Sequence, residues 1–204
     1  MIKIVYRVID KLSGVKRILD TCYYKSLLSQ NNVICDKKKI NIFGSCQLSF
    51  APKSHVKLGD GFVVRGGTKS TIEFGAGSKI VVIDNASLSI GNNSGISNTI
   101  IHCHEKIEIG DNVNIGAGCL IMDTNFHSTD WKVRRDREID ATAGKTKPIH
   151  IGDDVFIGAR SIICKGVTIG NKSIVAAGSV VVSNIGEGEI WGGNPAVFLK
   201  KISL

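Results

Sequence analysis

From Ile151 onward a branched aliphatic residue stands at every sixth position: Ile151, Ile157, Ile163, Ile169, Val175 and Val181. Four residues after the first five come Val155, Ser161, Val167, Ser173 and Ser179, all small or β-branched, and Gly152, Gly158 and Gly170 directly follow three of the six. A period of six is neither the alternation of a lone strand nor the turn of a helix. It reads as a hexapeptide repeat, each unit a short strand and a turn, with the aliphatic residue inward and glycine easing the corner. Three units make one triangular coil, so Ile151 stacks with Ile169, Ile157 with Val175 and Ile163 with Val181. Coils at the usual strand spacing of about 4.8 Å bury a column of aliphatic side chains.

The pattern also runs through Ile109, Ile115 and Ile121, and more loosely through Ile90 and Ile96, with Ile72 eighteen positions before Ile90. Ile90 to Ile109 is nineteen, so residues 40–108 are expected to form irregular early coils. A chain with 23 Gly, 3 Pro and 6% aromatic residues suits a backbone that turns often. Before the repeat, Val5, Val8, Ile9, Leu12, Val15, Ile18, Leu19 and Cys22 fall at helical spacing, with Ser13-Gly14 a break. Such helices either cap the end of the solenoid or, given Lys3, Arg7, Lys11, Lys16, Arg17 and Lys25, touch a membrane surface as a peripheral contact. The expected organisation is a helical segment over 1–32 and a solenoid over 33–204 with a tail at 184–204.

The excess of 26 Lys and Arg over 18 Asp and Glu favours anionic partners without choosing among them. Only residues 37–39 form a basic run, and no basic motif interleaved with aromatics appears, so no nucleic-acid partner is expected. Cys22, Cys35, Cys46, Cys103, Cys119 and Cys164 form no CxxC pair, and the N-terminus is charged too often for a signal or a spanning helix. These features predict reduced thiols and a cytoplasmic location, with the inner face of the membrane open as a site of contact.

Counting six from Ile121 reaches His127, and the repeat resumes only at Ile151, twenty-four residues later. The count predicts that His127 takes an inward slot and that residues 127–150 form an excursion loop leaving and rejoining one corner. Long loops in compact domains are usually functional. Its first residue is therefore the strongest candidate for chemistry. His102 and His104, two apart on an expected strand, could face a metal together but lack an evident third ligand. His55 and His150 have no partner in sequence.

The stretches "IGDNVNIGAGCLIMDTNFH", "KPIHIGDDVFIGARSIICKGVTIGNKSIVAAGSVVVSNI" and "GGNPAVFLKKI" resemble the hexapeptide-repeat O-acetyltransferases, in particular the maltose and galactoside acetyltransferases and the bacterial polysaccharide O-acetyltransferases, over about residues 85 to 202. The resemblance implies an all-β left-handed parallel β-helix assembled as a homotrimer with active sites between subunits, acetyl-CoA as acyl donor, no metal, and a sugar or glycan acceptor. It implies His127 as catalytic base and Asn98 as an acceptor-binding residue, thirteen before Asp111. Asp123 and Asn125 are candidates to bind the acceptor or orient the imidazole. It implies a backbone donor at Ala159 and a pantetheine path along Gly158, Ala159 and Ala177. Ser183, Asn184 and Lys200 match cofactor-binding positions.

The chain departs from that pattern where a family lysine is Asn184 and an arginine is Val197, leaving Lys200, Lys201, Arg134 or Arg135 for the cofactor phosphates. The chemistry fits an imidazole of pKa about 6.5, which can take a proton from a sugar hydroxyl so that the oxygen attacks the thioester directly. Competing readings are an N-acetyltransferase acting on an amino-sugar nucleotide, a γ-class carbonic anhydrase and a structural solenoid. The approach "DTNFH" favours O-acetylation, the His102/His104 spacing disfavours the anhydrase, and no outward ladder of one residue type supports the solenoid.

Overall fold

A computed structural model of the chain describes residues 23–24, 26–29, 33–70, 72 and 77–202. Three parallel sheets form the faces of a prism, and the chain visits them in turn. The first face stacks Asn41–Phe43, Val63–Arg65, Gly95–Ser97, Asn114–Ile115, Phe156–Ile157, Ile174–Val175 and Glu189–Gly193. The second stacks Cys46–Phe50, Ser78–Val82, Ile100–Cys103, Leu120–Met122, Ile162–Ile163 and Val180–Val181. The third stacks His55–Leu58, Ser87–Ile90, Lys106–Ile109, Ile149–Ile151 and Thr168–Ile169. The strand Ala196–Lys201 folds back antiparallel on Glu189–Gly193 and covers the end of the first face.

The six-residue register is realised in the pairing. Ile151 lies opposite Ile169, Ile157 opposite Val175 and Ile163 opposite Val181, and all six are fully buried. Ile151 also pairs with Ile109 across the excursion. Each such side chain contributes about 2–3 kcal/mol by leaving water. The small residues at the fifth place close the corners. Ser161, Ser173 and Ser179 are fully buried, and their hydroxyls donate to the carbonyls of Gly158 (2.8 Å), Gly186 (2.7 Å) and Ala176 (2.6 Å). A longer side chain there would displace a bond that the tight turn needs.

The early coils differ from the simple count. Ile72 is 48% exposed and outside the core, and the residue paired below Ile90 is Leu58. The reason is an insertion, residues 66–77, between Val63–Arg65 and Ser78–Val82, which breaks the count of six before the second face resumes. The nineteen-residue step is absorbed unevenly: Ile101 pairs with Ile121, five residues after Ile96 and eight before Ile109.

Residues 23–24 and 26–29 are helical. Tyr24 is buried there, donating its hydroxyl to the Gly44 carbonyl (3.2 Å) and accepting from the Cys46 N–H (2.9 Å), while Leu28 enters the core. The expected helices over residues 1–22 lie outside the described residues. No helix among the described residues is long and apolar enough to cross a membrane. The five described cysteines are free thiols, and burial pushes the Cys46 thiol up to about 12, so it is protonated and inert as a nucleophile.

The outside of the second face carries an in-register ladder of Ile100, Leu120, Ile162 and Val180. Polar residues occupy the matching line on the third face: Lys57, Ser89, Glu108, His150 and Thr168. The ladder turns polar at Lys79 and Gln47, so that flank is apolar on both sides of its sheet in the later coils.

Candidate active site

The excursion leaves from the corner joining the second and third faces. Asp123 stands at the corner with no exposed surface. Its Oδ1 accepts the His104 N–H at 2.7 Å, and its Oδ2 accepts the Glu105 and Lys106 N–H groups, both at 2.8 Å. Three amides of the coil below converge on one carboxylate, which a buried turn would otherwise leave unpaired. Asp123, expected to bind the acceptor or orient the imidazole, closes the corner here, with both oxygens engaged by backbone N–H groups. An antiparallel bridge between Thr124 and Thr146 then clamps the root of the loop. The loop is not structureless, since it contains a 3-10 turn at Val133–Arg135 and a helical turn at Arg137–Asp140.

His127 does not occupy an inward slot, because the chain has already left the prism at Asp123. Its side chain is 69% exposed, with Nδ1 2.6 Å from Asp140 Oδ2. The other Asp140 oxygen accepts the Ser128 N–H at 2.8 Å. Asp136 caps the short helical turn, accepting the N–H groups of Glu138 and Ile139, and so presents Asp140 toward the histidine. The Ser128 amide, and after it the His127 ring, hold the Asp140 carboxyl below its ordinary value. An ionised Asp140 accepts a hydrogen bond from Nδ1–H, a tautomer assigned from the hydrogen-bond network, and leaves the Nε2 lone pair pointing away. The pair has the arrangement of an oriented general base.

A strained turn aims the histidine. The His127 N–H donates to the Asn125 carbonyl at 2.7 Å across Phe126, whose φ is 60°. A bulky side chain in this region forms a γ-turn of the rare, costly kind. Phe126 is held there by its surroundings. Its ring stands edge-on to His102 (4.9 Å) and His104 (5.4 Å), and a Cβ on Gly144 would lie 2.7 Å from the Phe126 carbonyl carbon. The two imidazoles are 4.9 Å apart at a tilt of 35°, with His102 Nδ1 and His104 Nε2 buried without a partner. Burial, then the neighbouring His104 and Lys79, push the His102 pKa down, so it is neutral. Asn125 is exposed, fixed by its N–H to the Lys145 carbonyl at 3.1 Å.

The other expected site residues lie at the opposite edge of the second face. Asn98 is 3% exposed with φ 41°; its Oδ1 accepts the Gly67 N–H (2.7 Å) and its Nδ2 donates to the Ile72 carbonyl (3.1 Å). It ties the early insertion to the prism. It also borders a groove of about 640 Å³ lined by Tyr24, Lys79, Leu120 and Arg160. Above it, Gly158 and Ala159 stack beneath Ala176 and Ala177, so closely that a Cβ on Gly158 would sit 2.5 Å from the Ala177 nitrogen. Ala177 is exposed and Ala159 half-buried, a smooth edge open to close approach. Lys200 is exposed on the last strand opposite Ile190. Ser183 and Asn184 instead share the edge of the excursion, and Asn184 Oδ1 accepts the Thr168 N–H at 2.8 Å. One face therefore separates His127, Ser183 and Asn184 from Asn98, Ala159 and Ala177, and a single chain does not bring the two sets together.

Asp140 was not among the expected residues. Its signal was weak: a capping aspartate at 136, one helical turn earlier, within a stretch without periodicity.

The model of the hexapeptide repeat of succinyl-transferase matches residues 106–122 and 148–183. Gamma carbonic anhydrase 2, a mitochondrial protein of Arabidopsis thaliana, is 36% identical over 104 residues, 46% of this chain and 37% of that protein. The chain thus spans well under two thirds of that curated relative. Among solved structures, AntD, an N-acyltransferase from Bacillus cereus in complex with dTDP and coenzyme A, superposes with a TM-score of 0.62 at 17% identity, over 87% of this chain and 89% of that one. A maltose O-acetyltransferase from Clostridium difficile 630 superposes with a TM-score of 0.53 at 24% identity, over 88% and 75%. These likenesses show the fold, a left-handed parallel β-helix of hexapeptide repeats.

Proposed function

We propose that the chain is an acetyl-CoA-dependent O-acetyltransferase that acts on a sugar or surface-polysaccharide precursor. The observation that carries this reading is the His127–Asp140 pair, 2.6 Å apart, at the root of the excursion. Nε2 of His127 takes the proton of the acceptor hydroxyl as its oxygen attacks the thioester carbon; the tetrahedral oxyanion collapses and expels the thiolate of CoA, which His127 then protonates. The backbone N–H of Ala159 is the donor assigned to the oxyanion. The smooth edge at Gly158, Ala159 and Ala177 takes the pantetheine arm, with Lys200 near the nucleotide end.

The two edges meet in a homotrimer, where the base edge of one subunit faces the cofactor edge of the next. The apolar ladder Ile100, Leu120, Ile162 and Val180 supports this, since an outward aliphatic row is costly in water and suits burial between copies. The similarity to Gamma carbonic anhydrase 2 raises a hydration reading, which needs imidazoles converging on one point. His102 and His104 are stacked against Phe126 instead.

A second reading is N-acetylation of an amino-sugar nucleotide, the kind of ligand bound with coenzyme A in another structure of AntD, dTDP-4-amino-4,6-dideoxyglucose. Release of free thiol from acetyl-CoA, measured against glycans, sugar nucleotides and amino-sugar nucleotides, tests both. Turnover with a hydroxyl acceptor that is lost in His127→Ala is the expected result. Full activity of that variant on the best acceptor would remove the catalytic assignment, and turnover confined to amino acceptors would select the second reading.

A further inference from the structure

The excursion loop carries a cluster that the base and the repeat leave unexplained. Trp131, Lys132, Arg134, Arg135 and Arg137 are all exposed on it. The Arg135 guanidinium lies 4.3 Å from the centroid of the Trp131 ring, and the Lys132 ammonium 5.7 Å from the same point. Trp131 is 52% exposed, so an expensive aromatic surface is held in water at a loop tip.

The carboxylates of the loop are used differently. Asp130 accepts the Lys132 N–H (2.8 Å), Asp136 accepts the Glu138 and Ile139 N–H groups, and Asp140 holds His127 and Ser128. Among the described residues, the His127–Asp140 contact is the one ion pair within the loop. Three of the four loop carboxylates thus stabilise turns, the exposed Glu138 excepted, while Lys132 and Arg135 face outward beside an aromatic ring. The cluster also reaches the base. Arg134 Nη1 donates to the carbonyl of Ser128 at 2.6 Å, one residue beyond His127, and its charge helps keep Asp140 ionised.

We propose that Trp131 and Arg135, with Lys132 and Arg134, form a platform for an anionic sugar. A pyranose stacks on the open indole surface, and its carboxylate or phosphate meets the guanidinium groups. Stacking on indole leaves the edge N–H groups of Arg135 free for a bidentate anion, a geometry that lysine lacks. The inference rests on the acetyl-transfer reading and narrows its acceptor to an acidic class. Two sources share that chemistry, a uronic acid within a glycan and the diphosphate of a sugar nucleotide.

The test uses full-length protein carrying Trp191→Phe, so that fluorescence reports Trp131. Titrants are p-nitrophenyl β-D-glucuronide, its neutral glucoside counterpart and UDP-glucose. Thiol release is measured with the same acceptors, using acetyl-CoA and 3′-dephospho-acetyl-CoA as donors. The expected result is quenching by the glucuronide or by UDP-glucose at about tenfold lower concentration than by the glucoside; whichever binds identifies the source. Arg135→Gln removes the preference, and Trp131→Ala, which also removes the fluorophore and is read by thiol release, raises the acceptor KM about tenfold, with the KM for acetyl-CoA unchanged. Equal affinity for charged and neutral sugars overturns the proposal. So does an Arg135→Gln effect on acetyl-CoA that disappears with the dephospho donor, because the loop then serves the cofactor. Binding to phosphatidylglycerol vesicles lost in Trp131→Ala, without sugar quenching, overturns it in favour of a membrane contact. His127→Ala separates the two claims. A charge preference without His127-dependent thiol release leaves the platform and removes acetyl transfer; His127-dependent release without charge preference does the reverse.

Discussion

In Asp123→Asn one carboxylate oxygen becomes an NH2 group with almost no change in volume. The remaining oxygen serves best where it accepts two N–H groups, those of Glu105 and Lys106 at 2.8 Å, which turns the new NH2 toward the His104 N–H at 2.7 Å. A buried donor then faces a donor, costing about 1–3 kcal/mol, and two charge-assisted bonds become neutral ones, costing about 1 kcal/mol more. A loss of about 3 kcal/mol corresponds, in a chain of this size, to a fall in Tm of about 6–12 °C. Thermal denaturation at one protein concentration measures it, since association would shift Tm by mass action. At 25 °C the folded variant should keep the acceptor KM of the wild type. A variant that melts with the wild type but has a raised acceptor KM would return Asp123 to the acceptor and refute its role as the closure of the corner.

Asp140→Asn should lower kcat roughly 10–100-fold with little change in acceptor KM, because it removes a charge-assisted bond that orients the ring while leaving the site surface intact. Unchanged kcat would mean that the imidazole needs no partner. The folded pKa of Asp140 is depressed, so its contribution is complete at neutral pH and is lost as pH falls through the folded value. The protection of the Ser128 amide, its exchange rate relative to the intrinsic rate at each pH, should therefore be lost only at a pH below the ordinary aspartate range; loss of protection within or above that range would contradict the bond. Phe126→Ala leaves the positive φ without its clamp and should reduce kcat about tenfold while the KM for acetyl-CoA holds; wild-type kcat would show that the turn needs no aromatic support. Ala177→Leu, at an exposed corner, should raise the KM for acetyl-CoA at unchanged Tm, and an unaltered KM would move the pantetheine path elsewhere.

The stacked core was legible because its cause is local and periodic: an inward position of fixed spacing admits only residues such as Ile157 and Val175. The count failed wherever the chain left the prism. At Ile72 an insertion had broken the phase, and at 127 the count continued through a corner that Asp123 had already closed. Asp140 was illegible since it reaches His127 across a thirteen-residue gap within an aperiodic loop. The separation of Ala159 from His127 across one face also escaped the linear reading, because the sequence carries the period of a corner and not the distance between corners.

In the proposed homotrimer, the placement of the proposed base and cofactor positions on opposite edges of one flank makes the chain amenable to complementation. His127→Ala and Ala177→Trp would each be inactive alone, for different edges of the same interface. Unfolded, mixed in equal amounts and reassembled, they would form trimers in which about one interface in four joins two intact edges. Activity near a quarter of wild type would emerge from two dead proteins, carried by sites to which each contributes the half it still has.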